Sequence, residues 1–133
     1  MKSILFALLL APAAALAGCA SDASFETLGL SDWKARFEVT PNALLLDVRT
    51  LPEYEAGHIP GATLIPYDEI RANAARLPED KATPIFVYCR SGTRSTAASQ
   101  TLVAMGYTNV VNMDGGFPDW ARAGYPTATG APA

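Results

Sequence analysis

The chain has 133 residues, with ten Lys and Arg against thirteen Asp and Glu, a formal charge of −3, and half of its residues hydrophobic. That balance, with no basic run, excludes a surface built to hold nucleic acid. Two cysteines and one histidine are too few for a thiolate–imidazole zinc site.

The first element in chain order is a targeting segment. Lys2 precedes the apolar stretch Ile4 to Leu10, and alanines continue it to Ala17, the pattern of an export signal. Leu16, Ala17, Gly18 and Cys19 resemble the lipobox of bacterial lipoproteins. The resemblance implies cleavage before Cys19, lipidation of the Cys19 thiol, and a lipid anchor holding the protein in the cell envelope, facing the periplasm from the inner or the outer membrane. A soluble secretory signal cut near Ala15-Leu16-Ala17 is the competing reading, and Pro12 disfavours a retained spanning helix. The expected division is a signal at 1–18, a tether at 19–24, one folded domain at 25–127 and a flexible tail at 128–133. A single domain of this size is expected to act as a monomer.

Within the domain, residues 25–28 form a short first strand, and Ser31 is placed to cap a helix carrying Trp33 and Phe37. The apolar run ALLLD at 43–47 predicts a strand buried on both faces. Pro52 opens a helical turn over 51–56 that Gly57 ends, residues 63–65 form another strand, and Pro66 leads into a helix over 68–76. PIFVY at 84–88 is the strongest strand, and residues 94–105 the strongest helix, with Ala97, Ala98, Thr101, Leu102 and Met105 on one face. Residues 110–113 are a strand and 118–123 a last short helix. Strands alternating with helices predict an α/β fold, a central parallel sheet flanked on both faces by helices.

The sequence CRSGTR at 89–94 lies between that strongest strand and that strongest helix. Turn amides, the positive end of the helix, and Arg90 and Arg94 all favour an anionic sulfur, so the Cys89 thiol is expected below its ordinary pKa of about 8.5. If lipid occupies Cys19, Cys89 is the one free thiol of an exported protein. Two flanking arginines, Ser91, Gly92 and Ser95 describe a buried, inert cysteine poorly.

Three motifs now fall in register: LLDVRTLPEYEAGHIPGA at 45–62, VYCRSGTRS at 87–95, and GGFPDWARAGYP at 115–126. Their order and separation resemble the rhodanese-like domain family. The resemblance implies a rhodanese-like fold with a five-stranded sheet, Cys89 as the catalytic nucleophile, and a six-residue loop ending at Arg94. Related phosphatases and arsenate reductases carry seven residues in that loop, which fits a tetrahedral oxyanion. The implied activity is sulfur transfer of the thiosulfate sulfurtransferase type through a Cys89 persulfide, with cyanide or a thiol as acceptor and no cofactor. Small sulfur-containing anions, thiols and a sulfur-accepting protein are the partners it implies. Arg90, Ser91, Gly92, Thr93 and Arg94 form the expected substrate loop, Arg90 attracting the anion and Arg94 shaping the turn.

Arg49 is a secondary pocket candidate, although pairing with Glu53 or Glu55, beside an Asp47 that caps local backbone, is the favoured role. For His58, the one histidine, the resemblance implies that GHIPGA is a structural turn rather than the source of a base for Cys89. Trp33, Phe37, Phe86, Phe117 and Trp120 read as core aromatics, with Phe117 or Trp120 at the pocket rim. The competing functions are a non-catalytic module that recruits a partner at the membrane and a small phosphatase or arsenate reductase, the last opposed by loop length.

Overall fold

Five strands, β1 (Glu26–Leu28), β2 (Leu44–Asp47), β3 (Thr63–Leu64), β4 (Ile85–Tyr88) and β5 (Val110–Met113), form one sheet in the order β1-β5-β4-β2-β3. Every neighbouring pair is parallel. The computed structural model describes residues 24–133, so the signal, Cys19 and most of the tether fall outside them. β4 is the central strand, and all four of its residues are buried. That position explains its unbroken apolar sequence, since a strand covered on both faces has no use for alternation.

The two faces carry separate cores. Leu46, Val48, Ile85, Val87, Cys89 and Val110 pack with Ala98 and Leu102 of α3 (Thr93–Ala104). Leu45, Phe86, Tyr88, Val111 and Met113 pack on the other face with Trp33 of α1 (Leu30–Val39), Tyr54 of α2 (Leu51–Ala56) and Trp120 of α4 (Phe117–Arg122). Trp33 is fully buried and meets Phe86, Tyr88 and Trp120 edge-on at 5.5, 6.3 and 6.2 Å. Its indole N–H donates to Val111 O at 3.2 Å, which satisfies the polar atom of the buried ring.

Four local expectations are corrected. Gly29, not Ser31, is the N-cap of α1, and no side chain caps it. Residues 68–76 form turns followed by a 3-10 helix, Arg71–Arg76, with Asn73 off helical geometry (φ −108°, ψ 26°). Only Ile70 of that stretch is buried, too little apolar face to hold an α-helix to the sheet. The buried face of α3 is Ser95, Ala98, Ser99 and Leu102, which shares Ala98 and Leu102 with the expected face but brings in two serines in place of Ala97, Thr101 and Met105. The segment expected to fray from residue 128 is joined to the domain. Ala128 pairs with His58, and the Gly130 N–H donates at 2.9 Å to Glu55 O, a carbonyl left open at the end of α2.

A buried polar cluster fixes the carboxyl end of the sheet. Asp47 accepts from the Arg49 backbone N–H (3.0 Å), from Arg49 Nε (3.0 Å) and Nη2 (2.7 Å), and from the Tyr88 hydroxyl (2.7 Å). Arg49 Nη2 also donates to Gly57 O at 2.6 Å, and the Tyr88 oxygen accepts the Ile59 N–H at 3.1 Å. Asp47 and Arg49 are 0% and 4% exposed, so removing one partner strands a buried charge. Asp47→Ala is therefore expected to destabilise the domain by about 3–5 kcal/mol, read as a fall in the midpoint of urea unfolding. An unchanged midpoint would contradict this account of the cluster.

Candidate active site

Consecutive side chains of a strand point to opposite faces. Tyr88 therefore enters the Trp33 face, and Cys89, one residue on, enters the α3 face with its sulfur fully buried. Gly92 turns the chain into α3 with φ +94°, a left-handed conformation that glycine adopts without a steric penalty. The turn brings the Gly92 N–H to 3.1 Å from Cys89 Sγ, and Ser95 Oγ lies 3.4 Å from the same sulfur. Burial pushes the thiol up. Hydrogen bonds from the Ser95 hydroxyl and from the N–H groups of Ser95, Ser91 and Gly92 outweigh it, so Cys89 titrates below its ordinary value.

The loop arginines divide. Arg94, in the first turn of α3, donates from Nη1 and Nη2 to both oxygens of Glu53, at 2.6 and 2.9 Å. This fork ties the loop to α2, and the guanidinium holds the Glu53 carboxyl down at about 2. Arg49 does not pair with Glu53 or Glu55. Its guanidinium is committed to Asp47 and Gly57 O and lies 4.5 Å from the Phe117 ring centroid, so it serves the scaffold. Arg90 is exposed, as are Ser91 and Thr93, and Arg90 has no hydrogen-bond partner among the described residues. His58 donates from Nδ1 to Tyr54 O (2.7 Å) and stacks on the Tyr54 ring at 3.7 Å, a structural position in the turn after α2.

A wall from the third motif closes the back of the loop. The Phe117 N–H donates to Cys89 O at 2.8 Å. A Cβ at Gly116 would overlap the Arg90 carbonyl and lie 2.5 Å from Cys89 O, so this backbone approach requires a residue without a side chain. Phe117 is half-buried against Arg49, whereas Trp120 belongs to the core and not to a rim.

Two residues named from the sequence have roles in the site that the sequence did not reveal. Ser95 gave a faint signal as a lone hydroxyl just beyond the loop, on a helix read by its apolar residues. Glu53 read as a partner for Arg49; it pairs instead with Arg94 and completes the capping box of α2, accepting from the Thr50 N–H at 3.2 Å.

Comparison with known proteins agrees with this arrangement. The family model described as a rhodanese-like domain matches residues 21–123. A sulfurtransferase of Allochromatium vinosum is 40% identical over 91 residues, covering 68% of this chain and 83% of that protein. Among solved structures, the Alr3790 protein from Anabaena superposes with a TM-score of 0.68 at 30% identity, covering 77% of this chain and 80% of that one. A rhodanese with anions from E. coli gives a TM-score of 0.58 at 36% identity, covering 66% and 99%.

Two outcomes follow from the geometry. Gly116→Ala is expected to push the loop off its wall and raise the Cys89 titration midpoint toward that of a free thiol, measured by the ultraviolet absorbance of the thiolate; a midpoint equal to wild type contradicts the wall. Glu53, ordinarily at 4.5 and held at about 2, adds stability above pH 4.5 that is lost as pH falls toward 2. Glu53→Gln should flatten the dependence of melting temperature on pH across that window, and an unaltered slope counts against the Arg94 bridge.

Proposed function

This chain belongs to the rhodanese-like domain family, and on that premise we propose that it is a sulfurtransferase that carries sulfane sulfur as a persulfide on Cys89. The observation that carries the reading is the convergence of loop N–H groups and a hydroxyl on one buried sulfur whose pKa they lower. In the first half-reaction the Cys89 thiolate attacks the outer sulfur of a donor such as thiosulfate. The donor S–S bond breaks, sulfite leaves with the electron pair, and Cys89 holds a persulfide. In the second, an acceptor, cyanide in an assay or a thiol in the cell, attacks the outer sulfur and the Cys89 thiolate departs. Fixed amide dipoles around the loop stabilise the negative sulfur at each stage without reorganising. Arg90 is the cation that meets an incoming anion, Arg94 shapes the loop through Glu53, and Ser91, Gly92 and Thr93 act through their backbone.

The reading places this chemistry in the cell envelope. It rests there on the lipobox-like residues 16–19, which make Cys19 the lipid attachment and leave Cys89 as the free thiol. Intact-protein mass spectrometry tests both parts. Thiosulfate should add the mass of one sulfur atom to wild type, cyanide or a thiol should remove it, and Cys89→Ser should neither load nor turn over. A wild type that takes no sulfur and transfers none sinks the enzyme reading. Protein isolated from membranes should begin at an acylated Cys19, and an unmodified Cys19 there sinks the anchor.

A further inference from the structure

We propose that the Ser95 hydroxyl is a hydrogen-bond switch of the catalytic site. It donates to Gly92 O while Cys89 is a thiol or persulfide and turns onto Cys89 Sγ when that sulfur is a thiolate. The inference deepens the sulfurtransferase reading and rests on it.

Ser95 is fully buried, on the face of α3 that meets the sheet, where a hydroxyl needs a partner. Two acceptors stand within its reach, Gly92 O at 3.1 Å and Cys89 Sγ at 3.4 Å. A hydroxyl carries one hydrogen and can serve only one of them. Gly92 O already accepts the Thr96 N–H at 3.0 Å and the Thr96 hydroxyl at 2.7 Å, which fill its two lone pairs. The Ser95 bond to that carbonyl is a surplus third, so turning away leaves no acceptor empty.

With Cys89 protonated, its S–H donates to Ser95 Oγ and the Ser95 O–H points to Gly92 O. When the thiol proton leaves to solvent, Sγ becomes the stronger, charged acceptor and the hydroxyl hydrogen moves to it. In the persulfide the negative charge sits on the outer sulfur, about 2 Å beyond Sγ, and the hydroxyl returns to Gly92 O. Ser95 thus stabilises the state in which Cys89 is a bare thiolate, which is the reactant of sulfur loading and the product of sulfur discharge. A more stable thiolate is a better leaving group and a slightly weaker nucleophile.

Ser95→Ala and Ser95→Thr test this, and the alanine variant keeps both Thr96 donors on Gly92 O. The thiolate absorbance, taken as a difference from Cys89→Ser, should show the Ser95→Ala midpoint raised by about one pH unit, with Ser95→Thr returned toward wild type. At a pH above both midpoints, single-turnover loading from thiosulfate should be about threefold faster in Ser95→Ala, and discharge to a thiol about threefold slower. An unmoved midpoint, or loading and discharge slowed together, overturns the switch, since loss of packing alone would impair both halves alike. If wild type takes no sulfur, the sulfurtransferase reading fails, and the titration alone then decides whether Ser95 holds the thiolate.

Discussion

The site depends on two consecutive residues of β4 being held to opposite faces of one sheet. Tyr88 is fixed on the Trp33 face through its hydroxyl, which donates to Asp47 and accepts from Ile59. Cys89 is thereby aimed at the start of α3. Because the side-chain period of a strand is two, a slip of one residue would exchange the faces and put the sulfur among aromatics. Burying Asp47 and Arg49 carries a desolvation cost of several kcal/mol per ion. Four donors on the carboxylate and an additional carbonyl for the guanidinium offset that cost, and what the arrangement secures is register.

Hydrogen bonds from the loop carry most of the lowering of the Cys89 pKa, with a smaller attraction to the Arg94 guanidinium. Two arginines flank the sulfur in the sequence, yet Arg94 is paired with Glu53, as Arg49 is with Asp47. Each brings its own counter-charge, so neither contributes a full positive charge at the sulfur. The lowering that overcomes burial comes mainly from the Ser95 hydroxyl and the N–H groups of Ser95, Ser91 and Gly92. These groups are fixed by the left-handed Gly92 and by the first turn of α3, so their alignment is present before any donor arrives.

Element order, the parallel sheet and the position of the Cys89 loop were legible in the sequence because they rest on strong local signals. ALLLD and PIFVY are buried on both faces, and CRSGTR interrupts the passage from strand to helix. What sequence did not reveal depends on partners distant along the chain. The Glu53–Arg94 fork joins residues far apart in number, and the sequence offered Glu53 as a partner for the nearer Arg49 instead. Ser95 and Ser99 sit on a buried helix face that a reading based on apolar residues rotates away from them. The stretch at 68–76 had helical composition but lacked the apolar face that tertiary packing requires, and the sheet left it as turns and a 3-10 helix.

The third motif shows how one dipeptide serves two physical needs. Gly115 has φ +83°, which favours glycine for its backbone. Gly116 has φ −174°, an extended conformation open to any residue, so its requirement comes from space alone. The loop backbone at Arg90 and Cys89 occupies the volume a Cβ would need, and the Phe117 N–H reaches Cys89 O across the gap. Asp119 secures the approach by accepting the Gly116 N–H at 3.0 Å, which places the negative carboxylate at the start of α4. The segment that reads in the sequence as a leader into a last short helix is thus the back of the site. Its closeness leaves the carbonyl side of the loop fixed, and the chain's N–H groups are free to face the sulfur.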